Sequence, residues 1–203
     1  RESLDDKIYD AAVLRTYVLI PQQSGSLHID PAELVCLVNI RTNSRPNSIF
    51  DEFFDSGYRT VRKRISTPSM TVNVKSLPAG APASFSGGVG DFDIKASLST
   101  DQMKTNDAAS LVVTISGRGN VSLLGAPEVK LHPDMEVYDP KITDNSDRSA
   151  GGTIGSKSFE YPFIPRSHGE FTIDPIEYSY YDVNEGRYVT LQTEPLTYVV
   201  ERG

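Results

Sequence analysis

The chain has a single cysteine, no tryptophan, three histidines and no apolar run near the ~20 residues of a membrane span. One cysteine excludes an internal disulfide. Cys36 lies in ELVCLVNI, whose apolar neighbours suit a small buried hydrophobe. A reactive thiolate needs a nearby base or a helix N-terminus, and none is evident. His28, His132 and His168 are scattered, and none has a partner at metal-ligand spacing. Without tryptophan the usual sugar-stacking platform is missing. Hydrolase, metalloprotease, phosphate-loop and dinucleotide fingerprints are absent as well. Basic residues are the minority, 20 Lys and Arg against 27 Asp and Glu, for a net charge of −7. That balance excludes nucleic acid and anionic membrane surfaces as partners. The one basic cluster, Arg59, Arg62, Lys63 and Arg64, falls in YRTVRKRIST. In a regular strand Arg62 and Arg64 share a face, with Val61 and Ile65 opposite, so the cluster reads as a solvated face or a guarded edge.

Helical periodicity is also nearly missing, and short alternating or β-branched runs take its place. They are RTYVLI, ELVCLVNI, YRTVRKRI, MTVNVK, DFDIKASLS, SLVVTIS, MEVYD, SKSFEYPFI, IEYSYYD, RYVTLQ and LTYVV. Gly, Pro, Asn and Asp clusters separate them, which predicts an all-β sandwich. The chain also repeats itself. YVLIPQQSGSLHIDPAE at 17–33 returns as YPFIPRSHGEFTIDPIE at 161–177. Tyr17, Ile20, Pro21, Gly25, Ile29, Asp30, Pro31 and Glu33 recur as Tyr161, Ile164, Pro165, Gly169, Ile173, Asp174, Pro175 and Glu177 at one constant offset. STPSMTVNV at 66–74 matches QTEPLTYVV at 192–200 at a shorter offset. A repeat in fixed order marks a duplicated structural unit.

The repeat predicts tandem immunoglobulin-like β-sandwich modules. SLPAGAPASFSGGVG at 76–90 has linker composition. The expected division is a partial module over 1–78 and a complete seven-strand sandwich over 79–203. In the first module the repeated segment comes almost at once, so the counterpart of 80–150 lies ahead of residue 1 or does not exist. Residues 1–78 should supply about five strands. Such a half module exposes strand edges or apolar surface, and it is expected to self-associate or to pack on the second module. The charged opening RESLDDK carries no signal peptide and reads as the start of an excised piece. The first module also carries an insertion, RTNSRPNSIFDEFFDSG at 41–57, where the second has only a hairpin. Its core offers Phe50, Asp51, Glu52, Phe53, Phe54 and Asp55, read either as rings pinning the segment to the sandwich or as a partner-binding tip.

Other candidates are weaker. Asp144, Asn145 and Asp147, and Asp182, Asn184 and Gly186, form two acidic loops without the closing Glu of an EF-hand, and hairpin turns need the same residues. GRGN at 117–120 reads as a strand end with glycines at positive φ. Tyr178, Tyr180, Tyr181 and Tyr188 offer a platform for a glycan or peptide, although alternation puts Tyr181 on the face opposite Tyr178 and Tyr180. No catalytic residue, metal ligand or cofactor is assigned, and a hydrolase would need a constellation assembled from distant segments.

FSGGVGDFDIKASLS at 85–99, VTISGRGNVSLLGAPEV at 113–129, MEVYDPKITD at 135–144 and the long run at 157–196 occur in order. That ordered set resembles the BatD family of bacterial aerotolerance operons, and the first module resembles the C-terminal part of a preceding domain of the family. The resemblance implies membrane-anchored envelope proteins with immunoglobulin-like domains outside the cytoplasm. Their genes lie beside those of von Willebrand A-domain proteins, and no activity or catalytic residues are established. It points to a non-enzymatic scaffold in oxygen tolerance, with von Willebrand A-domain proteins as expected partners. A glycan- or peptide-binding sandwich is the alternative.

Overall fold

The computed structural model describes residues 1–41, 58–149 and 152–203. The chain divides into two compact units, Pro21–Ser76 on one hand and Arg1–Ile20 with Leu77–Gly203 on the other. Among the described residues there is no α-helix.

Leu77–Gly203 holds ten strands: β7 (Phe85–Leu98), β8 (Gln102–Lys104), β9 (Ala109–Gly119), β10 (Met135–Val137), β11 (Lys141–Ser149), β12 (Gly152–Pro165), β13 (Gly169–Ile173), β14 (Glu177–Asp182), β15 (Arg187–Gln192) and β16 (Leu196–Glu201). One sheet runs β10-β12-β9-β7-β14-β15, with β11 also on β12, and the other runs β13-β16-β8. Both sheets feed one core, so the architecture is an all-β sandwich. Alternation along β9 turns Ala109, Leu111, Val113 and Ile115 inward, and β12 does the same with Phe159, Tyr161 and Phe163. Tyr178 and Tyr180 of β14 come from the same sheet, while Ile173, Tyr198 and Val200 come from the opposite one. Most neighbours are antiparallel, but β14 joins β7 and β16 joins β8 in parallel. The Ser179 N–H donates to the Ser84 carbonyl at 3.1 Å and the Val199 N–H to the Asp101 carbonyl at 2.9 Å.

Among the described residues, Pro21–Ser76 holds β3 (Gly25–Ile29), β4 (Glu33–Arg41), β5 (Tyr58–Ser66) and β6 (Met70–Val74), paired only as β3-β6 and β4-β5. Their register reproduces the C-terminal one residue for residue under the two offsets of the repeat. Gly25↔Val74 and Ile29↔Met70 correspond to Gly169↔Val200 and Ile173↔Leu196. Glu33↔Ser66 and Val38↔Val61 correspond to Glu177↔Gln192 and Asp182↔Arg187. The corner after the Asp-Pro pair is repeated too. Thr67 Oγ1 accepts from the Ala32 N–H at 2.9 Å, and Thr193 Oγ1 accepts from the Ile176 N–H at 2.9 Å. In return the Thr67 N–H donates to the Ala32 carbonyl, as the Thr193 N–H does to that of Ile176.

Several sequence expectations are corrected. RTYVLI is not a strand, although Tyr161–Ile164, its counterpart, lies in β12. The difference is a partner: β12 pairs with β9 and β10, whereas no strand pairs with Tyr17–Ile20 among the described residues. The first strands are instead β1 (Glu2–Leu4) and β2 (Lys7–Tyr9), joined at Asp5 and Asp6 with φ of 49° and 58°, as a tight twisted hairpin requires. The linker-like 76–90 ends early, because Phe85–Gly90 already belongs to β7. Among its described residues the second module holds ten strands; the short β8 and β13 and the polar β11 are the three that the apolar runs did not include.

Burial of the Tyr161 and Tyr198 phenols pushes both pKa values up to about 12, because desolvation disfavours phenolate. The unfolded chain, with phenols near 10, therefore loses these protons first. Their contribution to stability is complete below about pH 10 and is lost as pH rises to about 12. A spectrophotometric titration should show Tyr161 and Tyr198 ionising late, in step with unfolding, together with Tyr178 and Tyr180, whose phenols burial also pushes up. Ionisation of all ten tyrosines together, with the fold intact, would contradict this burial.

Candidate interaction surface

The polar groups singled out in the sequence are mostly committed to holding strands. Asn120 of GRGN accepts from the Val89 N–H at 2.7 Å and donates through Nδ2 to the Gly87 carbonyl at 2.7 Å. Gly117 and Gly119 have φ of 153° and 145°, and a Cβ at Gly117 would overlap the Asp91 carbonyl across the strands. The segment therefore fastens β9 to β7. Asp182, buried, accepts from the N–H groups of Asn184 at 2.8 Å and Glu185 at 3.1 Å, and Gly186 closes the turn at φ 66°. Asp144, Asn145 and Asp147 lie in β11, paired to Lys157, Ser156 and Ile154, rather than in a loop. Among the described residues no three His, Cys, Asp or Glu side chains gather as a metal site.

The histidines stay apart. His28 is exposed with Nε2 at 3.9 Å from Asp30, His132 stands edge-on to the Phe171 ring, and His168 accepts from Arg202 Nε at 3.3 Å. The tyrosine platform separates as alternation requires. Tyr178 and Tyr180 are core, while Tyr181, Tyr188 and Phe85 cluster edge to face on the outer surface, where the Tyr188 hydroxyl donates to the Pro78 carbonyl at 2.7 Å. A polar network absent from the sequence reading ties the end of β12 to β10. Arg166 Nε donates to Glu136 Oε2 at 2.8 Å, its Nη2 donates to the same oxygen, and Nη1 donates to Asn106 Oδ1 at 2.8 Å. Tyr138 donates to Glu136 Oε1 at 2.6 Å. That hydrogen bond first, and Arg166 second, hold the Glu136 carboxyl below the usual carboxylate range.

What remains open is the surface of Pro21–Ser76. Positions that are buried in the C-terminal copy are exposed in this one: Leu34 is 41% exposed where Tyr178 is 0%, and Val72 is 46% where Tyr198 is 1%. Met70 and Ile65 are exposed too, and Cys36, expected to be buried, is half-buried where Tyr180 is core. The physical reason is that, among the described residues, no strands add to β3-β6 and β4-β5 as β8 adds to β16 and β7 to β14. On β5, Arg59, Arg62, Lys63 and Arg64 are all exposed, with Arg64 Nη1 at 3.8 Å from Glu33. Phe50, Asp51, Glu52, Phe53, Phe54 and Asp55 lie outside the described residues. Their stems do not: β4 and β5 stay paired to Arg41↔Tyr58.

Residues 96–200, just over half of the chain, match the family model described as BatD DUF11 like domain. The chain belongs to the BatD family. The matched span opens within β7 and closes in β16, so it covers most of the C-terminal sandwich and leaves Pro21–Ser76 outside. BatD proteins are envelope-associated, and the family is not known for an enzymatic activity. No curated protein and no solved structure matches the chain. No helix among the described residues is long and apolar enough to cross a membrane.

The two copies should respond differently to the same lesion. Tyr198→Ala should cost the C-terminal sandwich on the order of 3–5 kcal/mol, and Val72→Ala at the equivalent exposed site less than about 1. Denaturant melting of the two variants reads this directly. Equal losses would mean that the face around Val72 is covered.

Proposed function

We propose that the protein is a non-enzymatic interaction scaffold of the cell envelope, which assembles with von Willebrand A-domain proteins in oxygen and stress tolerance. In this reading it works outside the cytoplasm, anchored to the membrane in its full-length form. Membership of an envelope-associated family supports the compartment. The observation that carries the reading is the ribbon beneath the acidic, phenylalanine-rich insertion. The equivalent β14–β15 hairpin turns at Asp182↔Arg187, whereas β4 and β5 continue through Asn39↔Thr60, Ile40↔Arg59 and Arg41↔Tyr58. The insertion is thus attached at the far end of a two-stranded arm.

Asp51, Glu52 and Asp55 supply carboxylates and Phe50, Phe53 and Phe54 supply apolar anchors. A partner with a divalent cation at an open face takes a carboxylate oxygen as one of its ligands. Aromatic anchors beside that ligand contribute most of the affinity, as buried rings do at protein interfaces. The segment should capture a von Willebrand A-domain protein from detergent-solubilised envelope, identified by mass, and should lose it on chelation. Replacing the three acids by serine and the three phenylalanines by alanine should abolish capture without changing the melting of the C-terminal sandwich. Capture that survives both chelation and replacement would contradict the proposal.

A further inference from the structure

β15 is the last strand of its sheet, and the register fixes which of its groups are free. The Thr193 N–H donates to the Ile176 carbonyl at 3.1 Å, one step beyond the Glu177↔Gln192 pair. Bonded and unbonded pairs alternate in an antiparallel ladder, so Val189 and Leu191 exchange bonds with Tyr180 and Tyr178. Tyr188, Thr190 and Gln192 turn their N–H and C=O groups the other way, to an edge that no strand pairs among the described residues. Their side chains lie on the outer face. Tyr188 meets the Tyr181 and Phe85 rings, Thr190 Oγ1 lies 2.7 Å from Ser179 Oγ, and Gln192 Nε2 donates to Glu177 Oε1 at 2.8 Å. Val189 and Leu191 point inward and pack, half-buried, against the core.

The other outer strands of this sandwich are blunted. β8 and β10 have three residues each, β11 carries Lys141, Asp144, Asp147 and Arg148, and β13 carries Glu170. The repeat supplies a direct comparison. Arg62 and Arg64 of β5 take the positions of Tyr188 and Thr190, so this strand is basic in one copy and uncharged there in the other. The surroundings of β15 are acidic instead. Residues 177–194 hold Glu177, Asp182, Glu185 and Glu194 against Arg187 alone, and Arg187 is already paired with Glu185.

We propose that the edge of β15 is a strand-addition site for an extended basic segment of a partner protein, in which Lys or Arg alternates with apolar residues. Antiparallel addition pairs its backbone with Tyr188, Thr190 and Gln192. Its apolar side chains fall beside Val189 and Leu191 and extend the core. Its basic side chains fall on the outer face, one over the Tyr188 ring and one reaching past Gln192 to the Glu177 carboxylate. Backbone bonds supply the affinity of such a complex and the alternating side chains its specificity. The site belongs to the C-terminal sandwich and is independent of the insertion and of the partner proposed for it.

The probe is a capped peptide with the core Lys-Val-Thr-Val-Lys, added to the whole chain. Its control is N-methylated at both lysines and at the threonine, which keeps the charge and removes the bonding N–H groups. Saturating peptide should slow amide exchange at Tyr188, Thr190 and Gln192 at least about tenfold, and the control should not. Tyr188→Arg combined with Thr190→Arg gives β15 the residues that β5 carries in the same register. This variant should lose the protection, while slow exchange at Val189 and Leu191 certifies its fold. Unchanged exchange at the three amides, or equal protection by both peptides, would overturn the proposal. Protection that rises with protein concentration in the absence of peptide would also overturn it, naming a second copy as the occupant.

Discussion

Parallel addition of β7 to β14, anchored by the Ser179 N–H on the Ser84 carbonyl, is the contact on which the C-terminal sandwich depends. It joins the leading strands of the module to the trailing ones within one sheet. Without it β14 and β15 are a lone hairpin, and an isolated hairpin in water is marginal at best. With it, Tyr178 and Tyr180 are packed beside Gly88 and Phe92 of β7, and the opposing β13-β16-β8 sheet has an apolar surface to close on. The same four trailing strands occur twice in the chain and receive such a cover once. The exposure of Leu34 and the half-burial of Cys36, where Tyr178 and Tyr180 are core, follow from the lack of that contact at β4.

Much of this was legible in the residues. The two constant offsets of the repeat carry over to the pairing: Gly25 and Val74 are as far along their hairpin as Gly169 and Val200 are along theirs. The threonine corner is conserved between the copies because a backbone N–H and C=O at the sheet junction need partners wherever the chain turns there. Alternation correctly separated Tyr181 from Tyr178 and Tyr180, and Arg62 from Val61. The all-β class followed from the spacing of short runs between turn residues.

Other elements were hidden for physical reasons. β11, KITDNSDRS, is a strand because the edge of β12 offers it a ladder, and its own polar sequence gives no such pattern. RTYVLI has strand composition and no ladder, so it is not one. The Arg166–Glu136–Tyr138 network joins residues of β10 and the turn after β12, a proximity that only the folded sheet creates. The candidate binding residues of the insertion were found by composition alone, acids mixed with phenylalanines, and the structure describes only the strands that flank them, β4 and β5, paired as far as Arg41↔Tyr58. Fold and site therefore rest on different information: the sandwich on a repeated pattern, the proposed contact on a departure from it.

The central claim is that one half-module is built twice and covered once. Amide hydrogen exchange on the chain tests it most directly, because equivalent residues can be compared within a single molecule. Ser179 and Val199 donate to the Ser84 and Asp101 carbonyls, just ahead of β7 and β8. Their counterparts Val35 and Asn73 lie on the edges of β4 and β6 that no strand pairs among the described residues. The account predicts slow exchange at Ser179 and Val199, set by unfolding of the sandwich, and fast exchange at Val35 and Asn73. Equally slow exchange at all four amides would contradict it.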